Sequence, residues 1–284
     1  MSRSRTDHWL GMTLGVAAAM STVIVVLIAL FLLTESWPVL TSVGPWRFLA
    51  DRSWNPTEML YGMQPMLIGT LLASLGATLI AAPLGIGSAL FCRYVAPAWV
   101  ARVQRTVVTL LAGIPSVVFG FWGLVVLVPL IARIEPPGAS LLAATIVLAI
   151  MILPTVALTA DAALGAVPQT YGQGAAALGL SREAAIVNVL LPAARGGICA
   201  GLLLALARAL GETMAVLMVA GNVVQIPSSL FDPVRTLTAN IALEMAYAAG
   251  DHRASLFVSG LALTGIVAAI AYVAWRMSEG RSHG

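Results

Sequence analysis

The sequence contains no lysine, so its 15 basic residues are all arginine. A P-loop needs a lysine that reaches the phosphates of a bound nucleotide. Without that lysine, this chain lacks the usual motif for binding ATP. If ATP drives the protein, a different chain must bind it.

Cysteine and histidine are also scarce, with two and three residues respectively. Cys92 and Cys199 lie in or beside apolar runs, which is typical of small core residues and not of a disulfide framework. His8, His252 and His283 are far apart and show no ligand spacing. We therefore expect no metal site, no cofactor and no metal-dependent membrane enzyme.

Charged residues of both signs are also scarce in this chain. Charged residues make up 10% of the chain and hydrophobic residues 60%, and the mean hydropathy is +0.95. Soluble domains contain about 25% charged residues, so the composition indicates an all-α integral membrane protein. The basic pI of 9.2 follows membrane topology, and we expect no nucleic-acid partner. Long apolar runs predict six transmembrane helices, at about 10–33, 66–92, 106–132, 139–160, 196–220 and 254–275.

The arginines predict the orientation. Nine fall in segments on the side of the amino terminus, including Arg3 and Arg281, and five fall on the opposite side. Cytoplasmic loops carry the excess of basic residues, so both termini are predicted in the cytoplasm. The first run has 24 residues, longer than the apolar part of a signal peptide, and we interpret it as a retained helix. Residues 1–284 then form one transmembrane domain, with an additional N-terminal helix at 10–33, core helices within 66–275 and a cytoplasmic loop at 161–195.

Two features of the spans leave alternatives open. Gly113 and Pro115 interrupt the third run, either as a functional break or as the ordinary glycine and proline of membrane helices. On the predicted outer side, residues 236–249 carry Asn240 and Glu244 four positions apart. This stretch is either a short re-entrant or surface helix at the outer mouth, or an amphipathic helix lying on the bundle.

Arg208 and Glu212 are charged residues inside the fifth run, four positions apart and therefore predicted on one helical face. An arginine at the bilayer centre costs about 2.5–3.5 kcal/mol on insertion scales. Such residues usually face the interior of a bundle or a water-filled path. The pair is thus a candidate transport element, and the alternative is a buried salt bridge that only makes insertion tolerable.

The loop at 161–195 predicts a helix, a turn and a second helix. Residues 175–178 favour a helix, and Gly179 is a typical glycine just past a helix end. Ser181 can cap the next helix, with Glu183 in its first turn. The stretch Gln173-Gly174-Ala175 to Gly179, followed by nine residues and then Val189, Leu191 and Pro192, resembles the EAA signature of ABC importer permeases. Gln173 stands where that signature has glutamate.

Within those permeases the chain resembles the PstC family of phosphate importers. The supporting stretches are YGMQP at 61–65, LAGIPSVVFG at 111–120, ILP at 152–154, RALGETMAV at 208–216 and TLTANI at 236–241. The resemblance implies the type I ABC importer permease fold. It also implies a second, PstA-like permease, two copies of a PstB-like ATPase and an extracytoplasmic PstS-like phosphate-binding protein, in the bacterial cytoplasmic membrane. The chain itself would be a transport subunit and not an enzyme.

The same resemblance assigns roles to the candidate residues. Arg208 would attract inorganic phosphate and donate bidentate hydrogen bonds, and Glu212 would accept from a phosphate hydroxyl or hold Arg208. Gln173, Gly174, Ala175, Gly179, Leu191 and Pro192 would couple the spans to the ATPase. The alternatives are an ATP-independent anion channel or secondary transporter, and an ABC permease for another oxyanion such as sulfate or molybdate.

Overall fold

The computed structural model describes residues 5–279, and these residues are mostly helical. Arg3 and Arg281, which contribute to the predicted orientation, lie outside them. The α-helices of the described part are α1 (Arg5–Val43), α2 (Pro45–Ala50), α3 (Gln64–Leu90), α4 (Ala98–Ala112), α5 (Ser116–Trp122), α6 (Val128–Ala132), α7 (Leu141–Gly165), α8 (Gln169–Ala177), α9 (Arg182–Ala185), α10 (Leu191–Leu210), α11 (Met214–Val219), α12 (Leu237–Glu244) and α13 (Gly250–Glu279).

Short irregular elements complete the fold. The strands β1 (Trp54–Asn55) and β2 (Leu60–Tyr61) pair antiparallel, with Trp54 opposite Tyr61, and a 3₁₀ turn at Pro56–Glu58 joins them. Three π-helical turns continue or connect α-helices, at Phe91–Val95, Gly123–Leu127 and Ile186–Leu190.

Five helical segments in the described residues are long and apolar enough to cross a membrane, and a bent pair of helices supplies a possible sixth. The predicted span at 106–132 is bent at the interruption that Gly113 and Pro115 indicated. Helix α4 ends at Ala112, and the segment from Ser116 to Ala132 turns away from it by 94°. Pro115 lacks an N–H and disfavours helical geometry at the residue before it, which explains the break.

The prediction of one helix across 196–220 is wrong. Helix α10 begins at Leu191, continues from α9 through a π-helical turn and ends at Leu210. Residues 211–213 are not helical, and α11 follows over only Met214–Val219. At the other end of the chain, α1 runs ten residues past the predicted limit of 33, to Val43.

Helices α3 and α7 pack against each other at the centre of the bundle. Small residues of α3 face α7, with Ala73, Ala77 and Ala81 fully buried and Gly85 next in the same row. A Cβ atom added at Gly85 would lie 2.7 Å from Val156 Cγ1 on α7. Membrane helices associate mainly through van der Waals packing, so this close approach of two backbones contributes directly to stability.

The two ends of the bundle are built differently. At one end, α8 and α9 form the helix, turn and second helix predicted from the sequence, and we call residues 169–185 the elbow. At the opposite end, called the far end, α2, the β1–β2 hairpin and α12 close over the start of α3, and a second apolar cluster includes Phe48, Tyr61 and Met66. The 27 residues of α3 separate these ends by about 40 Å.

We predict that Gly85→Ala destabilises the protein by about 1–3 kcal/mol, because the new methyl group overpacks the contact with Val156. The matched control is Gly87→Ala, two residues further along α3, where a Cβ atom meets nothing within 4 Å. Thermal unfolding of the purified protein in detergent would measure both. Equal melting temperatures for the two variants would contradict the role of the close α3–α7 approach.

Candidate functional site

The non-helical residues 211–213 divide the predicted charged pair. Arg208 lies in the last turn of α10 and is exposed, whereas Glu212 lies beyond the end of that helix. The Glu212 carboxylate accepts a hydrogen bond from the Ala215 N–H at 3.1 Å and so caps the start of α11. Among residues 5–279 no salt bridge joins Arg208 to Glu212. The prediction that the pair shares one helical face is therefore wrong, because α10 stops between them.

Arg208 lies on an exposed surface, and no other helix or strand of the described residues covers it. Leu204, one turn earlier, and Met214, at the start of α11, are exposed on either side of it. An arginine that faces lipid at membrane depth is costly, so such residues usually face a bundle interior or a water-filled cavity. In the membrane this surface therefore suits contact with another protein or with a polar path.

The break between α10 and α11 is tied to the far end of the bundle through α12. The Thr238 hydroxyl donates to the Glu212 carbonyl oxygen at 2.8 Å. The Leu237 N–H donates to the Thr70 hydroxyl of α3 at 3.0 Å. The first turn of α12 thus connects the broken helix to the central helix α3.

A buried polar cluster, not predicted from the sequence, lies on the other side of α12. Glu244 is 7% exposed and accepts from three side chains. Arg235 Nη1 lies 2.7 Å from its Oε1, and Trp54 Nε1 donates to its Oε2 at 2.9 Å. His252 Nε2 lies 2.8 Å from the same Oε2. Arg235 Nη1 also donates to the Asn240 side-chain oxygen at 3.0 Å. This cluster joins the hairpin, α12 and α13.

The cluster bears on the interpretation of residues 236–249 as an amphipathic helix lying on the bundle. Helix α12 packs on α13 and α3, and both Asn240 and Glu244 are buried. Its polar side therefore faces the protein, whereas an amphipathic helix lying on the bundle would expose that side to water. The four-residue spacing of Asn240 and Glu244 was the one local signal of this cluster, and it did not reveal Arg235, His252 or Trp54 as partners.

The segment before α12 has its own local support. The Asp232 carboxylate accepts from the Ser228 hydroxyl and from the Ser228 and Ser229 N–H groups, at 2.7–2.9 Å. The Ser228 hydroxyl, followed by these N–H groups, lowers the pKa of Asp232 below its usual value. Because the folded-state pKa is lowered, the turn is stabilised above the usual pKa of aspartate, and this support is lost as the pH falls through the lowered value.

The elbow has the local geometry predicted from its sequence. Gly179 has φ +74°, in the left-handed region that glycine adopts without strain. The Leu180 N–H donates to the Ala175 carbonyl oxygen and the Gly179 N–H to that of Ala176, which is the Schellman pattern at a helix end. Ser181 then caps α9, with its hydroxyl accepting from the Ala184 N–H at 3.2 Å.

The surface of the elbow is mostly free in this chain. Gln173, Gly174 and Gly179 are exposed, Leu178 is 83% exposed, and Ala175 faces inward. The elbow therefore presents a surface that the described residues of this chain leave largely uncovered.

Leu191 and Pro192 begin α10, immediately after the π-helical turn at Ile186–Leu190. Because the π-helical turn runs directly into α10, Pro192 lies inside a continuous helical segment, where its missing N–H removes one backbone hydrogen bond. The six predicted coupling residues therefore occupy the elbow and the base of the helix that leads to the break.

Comparison with known proteins places the chain in a class. The family model described as "Binding-protein-dependent transport system inner membrane component" matches residues 81–278. The structure is similar to a chain of the MetNI methionine ABC transporter in inward-facing conformations, with a TM-score of 0.58 and 19% identity. That similarity covers 79% of this chain and 97% of the other and bears on the fold alone.

Relatives of higher sequence identity are permeases of ABC transporters, and several are phosphate permeases. The phosphate transport system permease protein PstC of Mesorhizobium japonicum is 37% identical, with 92% of this chain and 85% of the relative covered. The protein of the same name from Xylella fastidiosa is 34% identical over 95% and 90%. A probable ABC transporter permease, YqgH of Bacillus subtilis, is 44% identical over 74% and 69%.

The chain therefore belongs to the family of binding-protein-dependent transport system inner membrane components, and within it to the PstC permeases. It is a multi-pass membrane permease subunit of an ABC importer and not an enzyme, so ATP hydrolysis belongs to a separate subunit.

We predict that Glu244→Ala lowers the free energy of unfolding by about 3–5 kcal/mol, because it leaves the Arg235 guanidinium, which is only 20% exposed, without its counter-charge. The control is Asp51→Ala, which removes an exposed ion pair with Arg47 and should cost about 1 kcal/mol or less. Thermal unfolding in detergent measures both variants. A Glu244→Ala protein as stable as the control would exclude a structural role for the cluster.

Proposed function

We propose that this chain forms half of the translocation path of an ATP-driven phosphate importer. It pairs with a second permease, two copies of an ATPase subunit and an extracytoplasmic phosphate-binding protein. The complex lies in the bacterial cytoplasmic membrane, with the elbow on the cytoplasmic side. The similarity to phosphate permeases over nearly the whole chain supports phosphate as the transported ion.

The observation that carries the path proposal is the exposed guanidinium of Arg208 beside a helix break. The described residues provide no salt-bridge partner for Arg208. Phosphate supplies both the negative charge and the oxygen acceptors that a guanidinium binds in bidentate fashion. Because the ion must also leave, binding at this position is weak.

Glu212 has a different role from Arg208 in this proposal. Its Oε1 is used by the Ala215 N–H, so it holds the start of α11 in place. Its second carboxylate oxygen, which makes no hydrogen bond to the described residues, can accept from a phosphate hydroxyl. Broken helices of this kind recur at transporter sites, where backbone groups freed by the break line the path.

The elbow couples ATP hydrolysis to the spans in the same proposal. Gln173, Gly174, Ala175 and Gly179 form the contact surface for the ATPase. Leu191 and Pro192 carry its movement into α10, since α9, the π-helical turn and α10 form one continuous segment from Arg182 to Leu210. Movement at the elbow therefore reaches Arg208 along a single helical rod.

We predict that Arg208→Gln reduces phosphate uptake at least about tenfold, because a charge-assisted hydrogen bond contributes about 1.5–3 kcal/mol. The assay is labelled-phosphate uptake in cells that lack their own high-affinity system and express this chain with its partners. Sulfate and molybdate are added as competitors. Glu212→Gln and Glu212→Ala separate charge from capping, since glutamine keeps an oxygen that can accept from Ala215.

Three outcomes would contradict parts of this proposal. Full uptake by the double variant Arg208→Gln with Glu212→Gln would exclude both residues from the path. Block by sulfate or molybdate would indicate a different oxyanion. Uptake that persists without the ATPase subunit would indicate a channel or a secondary transporter.

We predict that Gly179→Asp abolishes uptake while the protein still inserts, because it places a carboxylate on the exposed elbow surface. Gly179→Asn is the matched control, since asparagine and aspartate both tolerate left-handed backbone and differ mainly in charge. Uptake and the amount of complex in the membrane are measured together. Normal uptake by a well-inserted Gly179→Asp protein would remove the coupling role.

A further inference from the structure

An open groove of about 600 Å³ lies between α4 and the π-helical turn at the end of α3. The residues that line it include none of the break at 211–213 and none of the elbow. Three arginines, two threonines and one cysteine give it its chemistry, and the residues that line it include Cys92, Arg93, Arg102, Arg105, Thr106 and Thr109.

One carboxylate holds two of the arginines in place. Asp161 of α7 accepts from Arg93 Nε through its Oδ1 at 3.0 Å, and Arg105 Nη2 lies 3.0 Å from its Oδ2. Arg93 Nη2 also donates to the Asp161 carbonyl oxygen at 2.9 Å. Each guanidinium has five N–H donors, so both retain donors for a further ligand in the groove.

The groove has an excess of positive charge. It contains three guanidinium groups against the single Asp161 carboxylate, and Arg102 is exposed with no salt-bridge partner in the described part of the chain. The hydroxyls of Thr106 and Thr109 donate to carbonyl oxygens of their own helix, so their oxygens remain available as acceptors. The groove therefore favours an anion. If the anionic ligand also carries hydroxyl groups, these can donate to the threonine oxygens.

Helix α4 presents an apolar surface beside these charges. Trp99, Val103, Val107 and Leu110 are 48–69% exposed and recur every three or four residues, so they form one stripe. A helix with an arginine face next to a tryptophan- and leucine-containing face is typical of the membrane interface. Helix α4 begins at Ala98, three residues after the candidate span Gln64–Val95 ends, and such a position is consistent with the membrane interface.

We propose that this groove binds the phosphate group of an anionic phospholipid in the leaflet at the elbow end of the bundle. The guanidiniums of Arg93, Arg102 and Arg105 bind the phosphate oxygens, and the acyl chains lie along the apolar stripe of α4. Basic pockets between membrane helices bind anionic headgroups in this way. The proposal goes beyond the transported ion and does not depend on it.

Native mass spectrometry of the assembled complex tests the proposal by titration with phosphatidylglycerol, and with phosphatidylcholine of the same acyl chains. We expect selective binding of phosphatidylglycerol that Arg102→Gln weakens about fivefold. Arg102 is the variant of choice because its replacement leaves both ion pairs of Asp161 intact. Arg195→Gln, which removes an exposed arginine outside the groove, is the matched control and should bind as wild type does. Arg102→Lys should retain most of the binding.

A second arm measures binding of labelled inorganic phosphate to the detergent-purified complex, with Arg208→Gln present in every variant to remove the proposed path site. Equal phosphatidylglycerol affinity in wild type and Arg102→Gln would overturn the proposal. It would also be overturned if only inorganic phosphate binding were lost in Arg102→Gln, since the groove would then be a site for the free ion. Loss of phosphatidylglycerol binding in Arg102→Gln, with binding of inorganic phosphate unchanged, supports it.

Discussion

The close contact of α3 with α7 is the constraint on which the other features depend. Alanines and Gly85 on α3 let the two backbones approach, and α7 in turn packs against α10, where a Cβ atom at Gly201 would overlap the Thr159 hydroxyl. The two ends of α7 contact the far end of the bundle and the arginine groove. Its first N–H, at Leu141, donates to the Asp232 carbonyl oxygen at the far end, and Asp161 near its last turn holds the arginines of the groove.

Features that follow from local rules could be predicted from the sequence. The long apolar runs indicated most of the spans, because bilayer thickness dictates their length. Gly179 and Ser181 were correctly interpreted as the end of one helix and the cap of the next, since both patterns need only a few neighbouring residues. The EAA-like spacing and the PstC-like stretches indicated the family that the relatives show.

Features that depend on contacts distant in sequence could not be predicted in this way. The end of α10 at Leu210 has no proline to indicate it, and the Glu212 carbonyl oxygen just beyond it accepts from Thr238 of α12, a contact that no local pattern predicts. The cluster around Glu244 brings together Trp54 and His252, which are separated by most of the chain. No periodicity or motif records such a meeting of three elements.

The hydrogen bond from Thr238 to the Glu212 carbonyl gives the broken helix a mechanical constraint. If α10 rotates about residues 211–213, this bond either breaks or draws the first turn of α12 with it. Because α12 is hydrogen-bonded to Thr70 of α3 and, through Glu244, to Trp54 of the hairpin, a movement of α12 would strain the contacts at the far end of the bundle. A twist applied to α10 at the elbow is thus resisted by contacts at the far end of the bundle.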